Sequence, residues 1–153
     1  MHVRIKVMLR VFFWCFMALL VIGIIIPHVS FFFFRLKHPG IVKLYDTIIK
    51  VNVALYHWKV NSGGRYPGSL YDKIAGKSFI DILKGEGIIN PYTGEKNPEN
   101  FVHFITETLP QSSVPGHIYI YSNGKTTKVY GCRDDRRLVT WDGEKFRTLK
   151  NTE

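Results

Sequence analysis

What is scarce in this chain narrows its class before any motif is read. Two cysteines, Cys15 and Cys132, stand among 153 residues, too few for the disulfide framework of a small secreted scaffold. Acid is scarcer than base, with 12 Asp and Glu against 21 Lys and Arg and a formal charge of +9. No acidic residue precedes Asp46, and from Val11 to Ile26 no side chain is polar except Cys15. A glycine-rich phosphate loop and a nucleophile elbow are both missing, which removes common phosphoryl- and acyl-transfer signatures. The six histidines offer no His-x-x-x-His or Cys-x-x-Cys spacing, and a metal needs three or four convergent ligands. The expectation is a protein with no catalytic residue, no cofactor and no metal. What is present is ordinary for a folded domain: 46 % hydrophobic and 22 % charged residues, which excludes a fully disordered chain.

The surplus of positive charge is unevenly placed. Residues 1–38 carry Arg4, Lys6, Arg10, Arg35 and Lys37 without an acid, while residues 39–153 hold the other 16 basic side chains and all 12 acids. The first group brackets the apolar run Val11–Phe34, 24 residues long and about 36 Å as a helix, enough to cross a hydrocarbon core of about 30 Å. The run is too long for a signal-peptide core and no Ala-x-Ala-like triplet follows it. With no polar face it is not a buried soluble helix either. It predicts a transmembrane helix at 11–34 behind a basic flank at 1–10. The slight excess of cations on the N-terminal side predicts a cytoplasmic N-terminus and an extracytoplasmic C-terminal domain. Pro27 predicts a kink or an end to the regular helix, and Pro39-Gly40 a break over 35–40.

Beyond the break, Ile41, Leu44, Tyr45, Ile48, Val51, Leu55 and Trp58 recur at spacings of three and four. That period predicts an amphipathic helix over about 41–60, stopped by Asn61-Ser62-Gly63-Gly64. Ser69 and Asp72 read as an S-x-x-D start signal for a short second helix, with Leu70, Ile74, Phe79, Ile82 and Leu83 on its inner side. Asn90-Pro91-Tyr92-Thr93-Gly94 reads as a turn, and 101–105 as a short strand inside a long connection. Two hairpins follow: 118–121 and 128–132 about Asn123-Gly124, then 138–141 and 145–149 about Asp142-Gly143. The expected fold is α+β: a transmembrane helix, then an amphipathic helix packed on a small antiparallel meander occupying 41–153. Ile48, Val51, Leu55 and Trp58 are the expected helix–sheet core.

The wording of several segments carries a resemblance. Ala54-Leu55-Tyr56-His57-Trp58-Lys59-Val60-Asn61-Ser62-Gly63-Gly64-Arg65-Tyr66-Pro67-Gly68-Ser69-Leu70 resembles the helix end of bacterial pilin-like proteins, a helical A-L-x-x-Y followed by an N-G-R-Y-P-like stop. Ile89–Gly94 is similar to their N-P-x-T-G loop. Pro115–Tyr121 followed by Tyr130-Gly131-Cys132-Arg133-Asp134 resembles their final sheet. The resemblance covers about residues 41–140 and lies nearest to pseudopilins of type II secretion and minor pilins of type IV pilus or competence systems. It implies a pilin-like fold and a structural or assembly role at the bacterial inner membrane. The implied partners are membrane lipid, other pilin-like subunits and secretion or pilus machinery. One departure is plain: such precursors carry Gly at the cleavage point and Glu at the fifth mature position, whereas here the first glycine is Gly23 and the first acid Asp46, so no prepilin peptidase site is recognisable.

The resemblance also raises calcium, which some pseudopilins bind through acids of the last loop. Asp134, Asp135 and Asp142 are the candidates, with Arg133, Arg136 and Arg137 beside two of them as competing ion-pair partners. Cys132 reads as a small buried strand residue, and Cys15 in the span is no partner for it. The loop Arg133-Asp134-Asp135-Arg136-Arg137 is mixed in charge, not a nucleic-acid stripe, so only the mildly basic outer domain speaks for DNA. The alternative to an assembly role is a signal-anchored module that binds a protein, a wall polymer or DNA outside the membrane.

Overall fold

The computed structural model describes residues 2–107, 109–110 and 113–149, with side chains from Phe12 onward except at 27, 31 and 35. Two compact units, Met1–Pro39 and Gly40–Glu153, divide the chain.

The first unit is helix α1, His2–Lys37. Phe12–Phe34 is long and apolar enough to cross a membrane. Its 23 residues span about 34 Å as a helix, and the described apolar side chains all face outward, from Phe12 at 74 % exposed to Phe34 at 41 %. The helix continues through Pro27, so of the two expectations there, a kink or an end to the regular helix, the end is not seen. At the next residue the His28 ring bonds the Ile24 carbonyl, one turn back, at 2.8 Å, so the one imidazole inside the apolar stretch is satisfied within its own helix.

Helix α2, Pro39–Asn61, lies in the second unit from Gly40 onward. His38, between the end of α1 at Lys37 and the start of α2, is not helical and falls within the break expected over 35–40; Pro39 opens α2, since at the first helical position its missing N–H costs nothing. Ile41, Leu44, Ile48, Val51, Ala54, Leu55 and Trp58 are buried, as the three-four spacing demands. A two-stranded hairpin, β1 (Lys73–Ile74) and β2 (Lys77–Ser78), leads into α3, Phe79–Gly85. Here the sequence expectation is corrected. The helix starts not at Ser69 but at Ser78, where the Ser78 hydroxyl and the Asp81 carboxylate form a reciprocal capping box. Ser69 and Asp72 bond each other at 2.6 Å in an isolated turn. Both sites spell S-x-x-D, but the second is followed by buried side chains, Phe79, Ile80 and Leu83, whereas Leu70 and Ile74 after the first are only half-buried against the core.

Five strands make the main sheet in the order β3 (Val102–Ile105), β4 (Ile118–Ser122), β5 (Thr127–Cys132), β6 (Leu138–Trp141) and β7 (Phe146–Thr148). β4 to β7 form the expected antiparallel meander. β3 joins its edge in parallel, Val102 opposite Ile118 and Phe104 opposite Ile120, so the sheet is mixed. Both hairpin turns sit one residue later than expected. Asn123 and Asp142 flank the turns, and their side-chain oxygens accept from the amides of residues 125 and 126 and of 144 and 145. The positive φ falls on Gly124 (81°) and Gly143 (100°) alone, leaving Asn123 and Asp142 free to cap.

One sheet face carries Val102, Ile118, Ile120, Val129 and Val139 into a core with Leu44, Ile48, Val51, Leu55 and Trp58 of α2 and Phe79 and Leu83 of α3. Helix and sheet pack tightly at Gly131 of β5, where any added carbon would meet Ile48 and Leu44. Tyr45 stacks on Phe146 at 4.0 Å between ring centres, fixing the helix over β7. The domain is α+β, a long helix on one face of a small, largely antiparallel sheet.

Candidate functional site

Two surfaces of the second unit hold side chains that the core does not use. The first is on α2. The helix buries Ile48, Val51, Leu55 and Trp58 against the sheet, and exposes Ile49, Val53, Tyr56 and Val60 by 42, 39, 63 and 63 %. These four follow one another at four, three and four residues, which puts them in a single line along the helix. Large apolar side chains scattered singly over a surface need no explanation, but a row does.

The second surface is the outer sheet face. Alternation along the strands, which sends Val102, Ile118 and Ile120 inward, sends His103, Tyr119, Tyr130 and Cys132 outward. Tyr119, Tyr130, Cys132 and Leu138 form a second small cluster, with Ile105, Tyr121 and Leu149 at its margin. Residues 113 and 114 partly cover it: the Val114 amide donates to the Tyr119 hydroxyl at 2.9 Å, and the Ser113 hydroxyl to the Arg136 carbonyl at 3.1 Å. Burial pushes the Tyr119 and Tyr130 phenols and the Cys132 thiol up, so Cys132 is an inert thiol. A cleft of about 350 Å³ opens beside Tyr119, between Phe104, Ile105, Leu109 and Pro110.

The parallel pairing of β3 and β4 makes one contact that spacing could not announce. His103 Nε2 and His117 Nδ1 lie 2.7 Å apart, their ring planes within 21° and their centres 4.9 Å apart. That centre separation is what two imidazoles show when they meet edge to edge, nitrogen facing nitrogen, rather than face on face. One proton lies between them, donated by one ring and accepted by the other. Burial lowers the pKa of both rings, and for His103 the proximity of His117 lowers it further. The pair is therefore a neutral, hydrogen-bonded unit at neutral pH. A second imidazolium proton would break it, because two N–H groups would then point at each other.

The acids singled out for calcium are not brought together. Asp135 pairs with Arg133 at 3.3 Å and with Arg137 at 3.7 Å. Asp142 belongs to the next hairpin, where it is bonded by Arg147 and by turn amides. The Lys145 amide, then the Arg147 side chain, hold the Asp142 carboxyl down to about 2. Asp134 accepts from the Asp135 amide, and its own amide donates to the Tyr92 hydroxyl at 3.2 Å. Among the described residues no three His, Cys, Asp or Glu side chains converge on a point that could hold a metal ion. Asp72 and Asp81 serve their own turns, each bonded to a serine three residues before it.

Comparison with protein-family models, with curated proteins and with solved structures gives no match.

Proposed function

We propose that the chain is a membrane-anchored, pilin-like assembly component, of the pseudopilin or minor-pilin kind found in type II secretion and type IV pilus or competence systems. Helix α1 holds it in the bacterial inner membrane with the α+β domain outside, and its helices pack against those of neighbouring subunits. The observation that carries this reading is the division of labour on α2. One face is committed to the sheet and a second apolar line is left uncovered, in a chain that also has a 23-residue apolar helix. A helix serving only its own domain would present polar residues on that second line. The segments that resemble pilin-like proteins support the same reading. The N-G-R-Y-P-like stop falls where α2 ends at Asn61, and the Y-x-Y and Y-G-C segments are the paired strands β4 and β5.

A photo-crosslinking residue at Ile22, in the middle of α1, tests the reading in the host membrane. Adducts with other single-span, sheet-bearing subunits are expected, together with neighbouring genes for a secretion ATPase and a polytopic platform protein. Lipid adducts alone would overturn it. They would leave the signal-anchored binding module, for which the cleft beside Tyr119 is the place to look.

A further inference from the structure

We propose that His103 and His117 form a two-coordinate site for a soft monovalent metal ion, copper(I) in kind, held between their facing ring nitrogens. The site is independent of the assembly role.

The argument starts from direction. His103 Nε2 and His117 Nδ1 are 2.7 Å apart, with ring centres 4.9 Å apart and planes within 21°. Those values put centre, nitrogen, nitrogen and centre nearly on one line, so the in-plane lone pair of each ring points at the other ring. Two imidazoles aimed at each other are the donor set of a linear ion. A metal–imidazole bond is about 2.0 Å long, so a linear ion asks for nitrogens about 4 Å apart, and the rings must part by about 1.3 Å. Both side chains are half-buried, and His117 stands just before β4, outside the ladder of the sheet, so a tilt of the rings supplies that distance.

Binding moves one proton and no electrons. The N–H bond at the facing nitrogen breaks, and an N–H bond forms through solvent at the far nitrogen of the same ring. Both rings stay neutral, and the site gains only the charge of the ion.

Ligand number and charge select the ion. Among the described residues no third His, Cys, Asp or Glu side chain converges with the pair. The Tyr119 ring lies 5.5 Å from His103 and 6.5 Å from His117, but its hydroxyl already accepts from the Val114 amide. Cys132 faces His117 across the strands, its amide bonded to the His117 carbonyl at 2.9 Å, yet its thiol is fully buried and donates to the Arg133 carbonyl at 3.4 Å. Zinc wants four ligands; two imidazoles in line satisfy a copper(I) ion. No carboxylate acts on either ring: burial does, and for His103 the other imidazole. A half-buried site without a counter-charge penalises every unit of charge brought into it, which favours a monovalent ion over a divalent one.

The test uses the full chain in detergent micelles without oxygen, in a Cys15→Ser background that removes the exposed thiol. Copper(I) is supplied from its bicinchoninate complex, with ascorbate to keep it reduced. One ion should bind per chain and raise Tm. X-ray absorption should show two nitrogen neighbours and no sulfur. In His103→Asn and in His117→Asn, each shown folded by near-UV circular dichroism, affinity should fall at least tenfold and the rise in Tm should vanish. No binding, or equal binding in both variants, would overturn the proposal. Sulfur in the absorption spectrum would overturn it without any variant, since the ion would then sit on Cys132. One equivalent of zinc bound in a His103- and His117-dependent manner would overturn the choice of a monovalent, two-coordinate ion. None of these results bears on the crosslinks at Ile22, so the site and the assembly role fail separately.

Discussion

Gly131 of β5 lies directly under α2, and adding one methyl there gives a prediction whose size follows from the geometry. In Gly131→Ala the new carbon would lie 2.7 Å from Ile48 Cδ1 and 2.9 Å from Leu44 Cδ1. Both side chains are fully buried, so in a close-packed interior their methyls have little room to withdraw. Overpacking of this kind costs about 1–3 kcal/mol. The lower entropy of the unfolded alanine chain offsets about 0.4–1 kcal/mol of that, leaving a net loss of about 1–2 kcal/mol. For a domain of roughly 100 residues this lowers Tm by about 5–10 °C. The mechanism is tested by the second site. Ile48→Val removes the methyl that is struck, and alone it costs about 0.5–1.5 kcal/mol. In Gly131→Ala/Ile48→Val the new methyl fills the vacated space, so the double loss should fall short of the two single losses combined by about 1 kcal/mol, a coupling of the size that contacting residues show. Thermal unfolding of the full chain in detergent micelles, followed by near-UV circular dichroism, reads all four proteins. Additive losses within about 0.5 kcal/mol, or an unchanged Tm in Gly131→Ala, would refute the packing of α2 over β5.

The remaining predictions concern particular side chains. Ser78→Ala removes the α3 cap and should cost about 1 kcal/mol, while Ser69→Ala, which starts no helix, should cost clearly less; equal losses by urea unfolding would contradict the capping assignment. The His103–His117 pair has folded pKa values below the free value, so its contribution is present above about pH 6.5 and is lost as pH falls from there through the folded values. Tm should therefore drop on acidification below about pH 6.5, and the drop should shrink in His103→Asn. A profile identical in that variant would rule the pair out as its origin. Cys132 is 0 % exposed with a raised thiol pKa. In a Cys15→Ser background, maleimide should label it only on unfolding, and rapid labelling of the native protein would show the outer sheet face to be open.

Much of this fold was legible because it rests on local periods. The apolar run and its basic flanks gave the long N-terminal helix, and the three-four spacing gave α2 and its buried residues. What was not legible depended on distant partners. Strand β3 was visible as a short apolar run, but its parallel seat beside β4 is set by packing of Val102 and Phe104 over the core, which no neighbouring residue announces. The His103–His117 contact follows from that seat and joins residues 14 apart. Asn-Gly and Asp-Gly correctly marked both hairpins, yet the Asx side chain caps better from outside the turn than within it, and this displaced each turn by one residue. The S-x-x-D signal occurred twice, and burial of Phe79 and Leu83, not the signal itself, selected the second. The outward line on α2 was in plain view as Ile49, Val53, Tyr56 and Val60. A period-based reading merges such a line into general helix amphipathicity until the buried face is known.

The central claim is that this chain works inside an assembly, and the mass of the native particle tests it most directly. The full chain, extracted from host membranes in mild detergent, should run by native mass spectrometry well above its own 17.7 kDa, together with single-span partner subunits, and Val53→Asp should return it to a single chain. A uniform 17.7 kDa species from wild-type membranes would contradict the account.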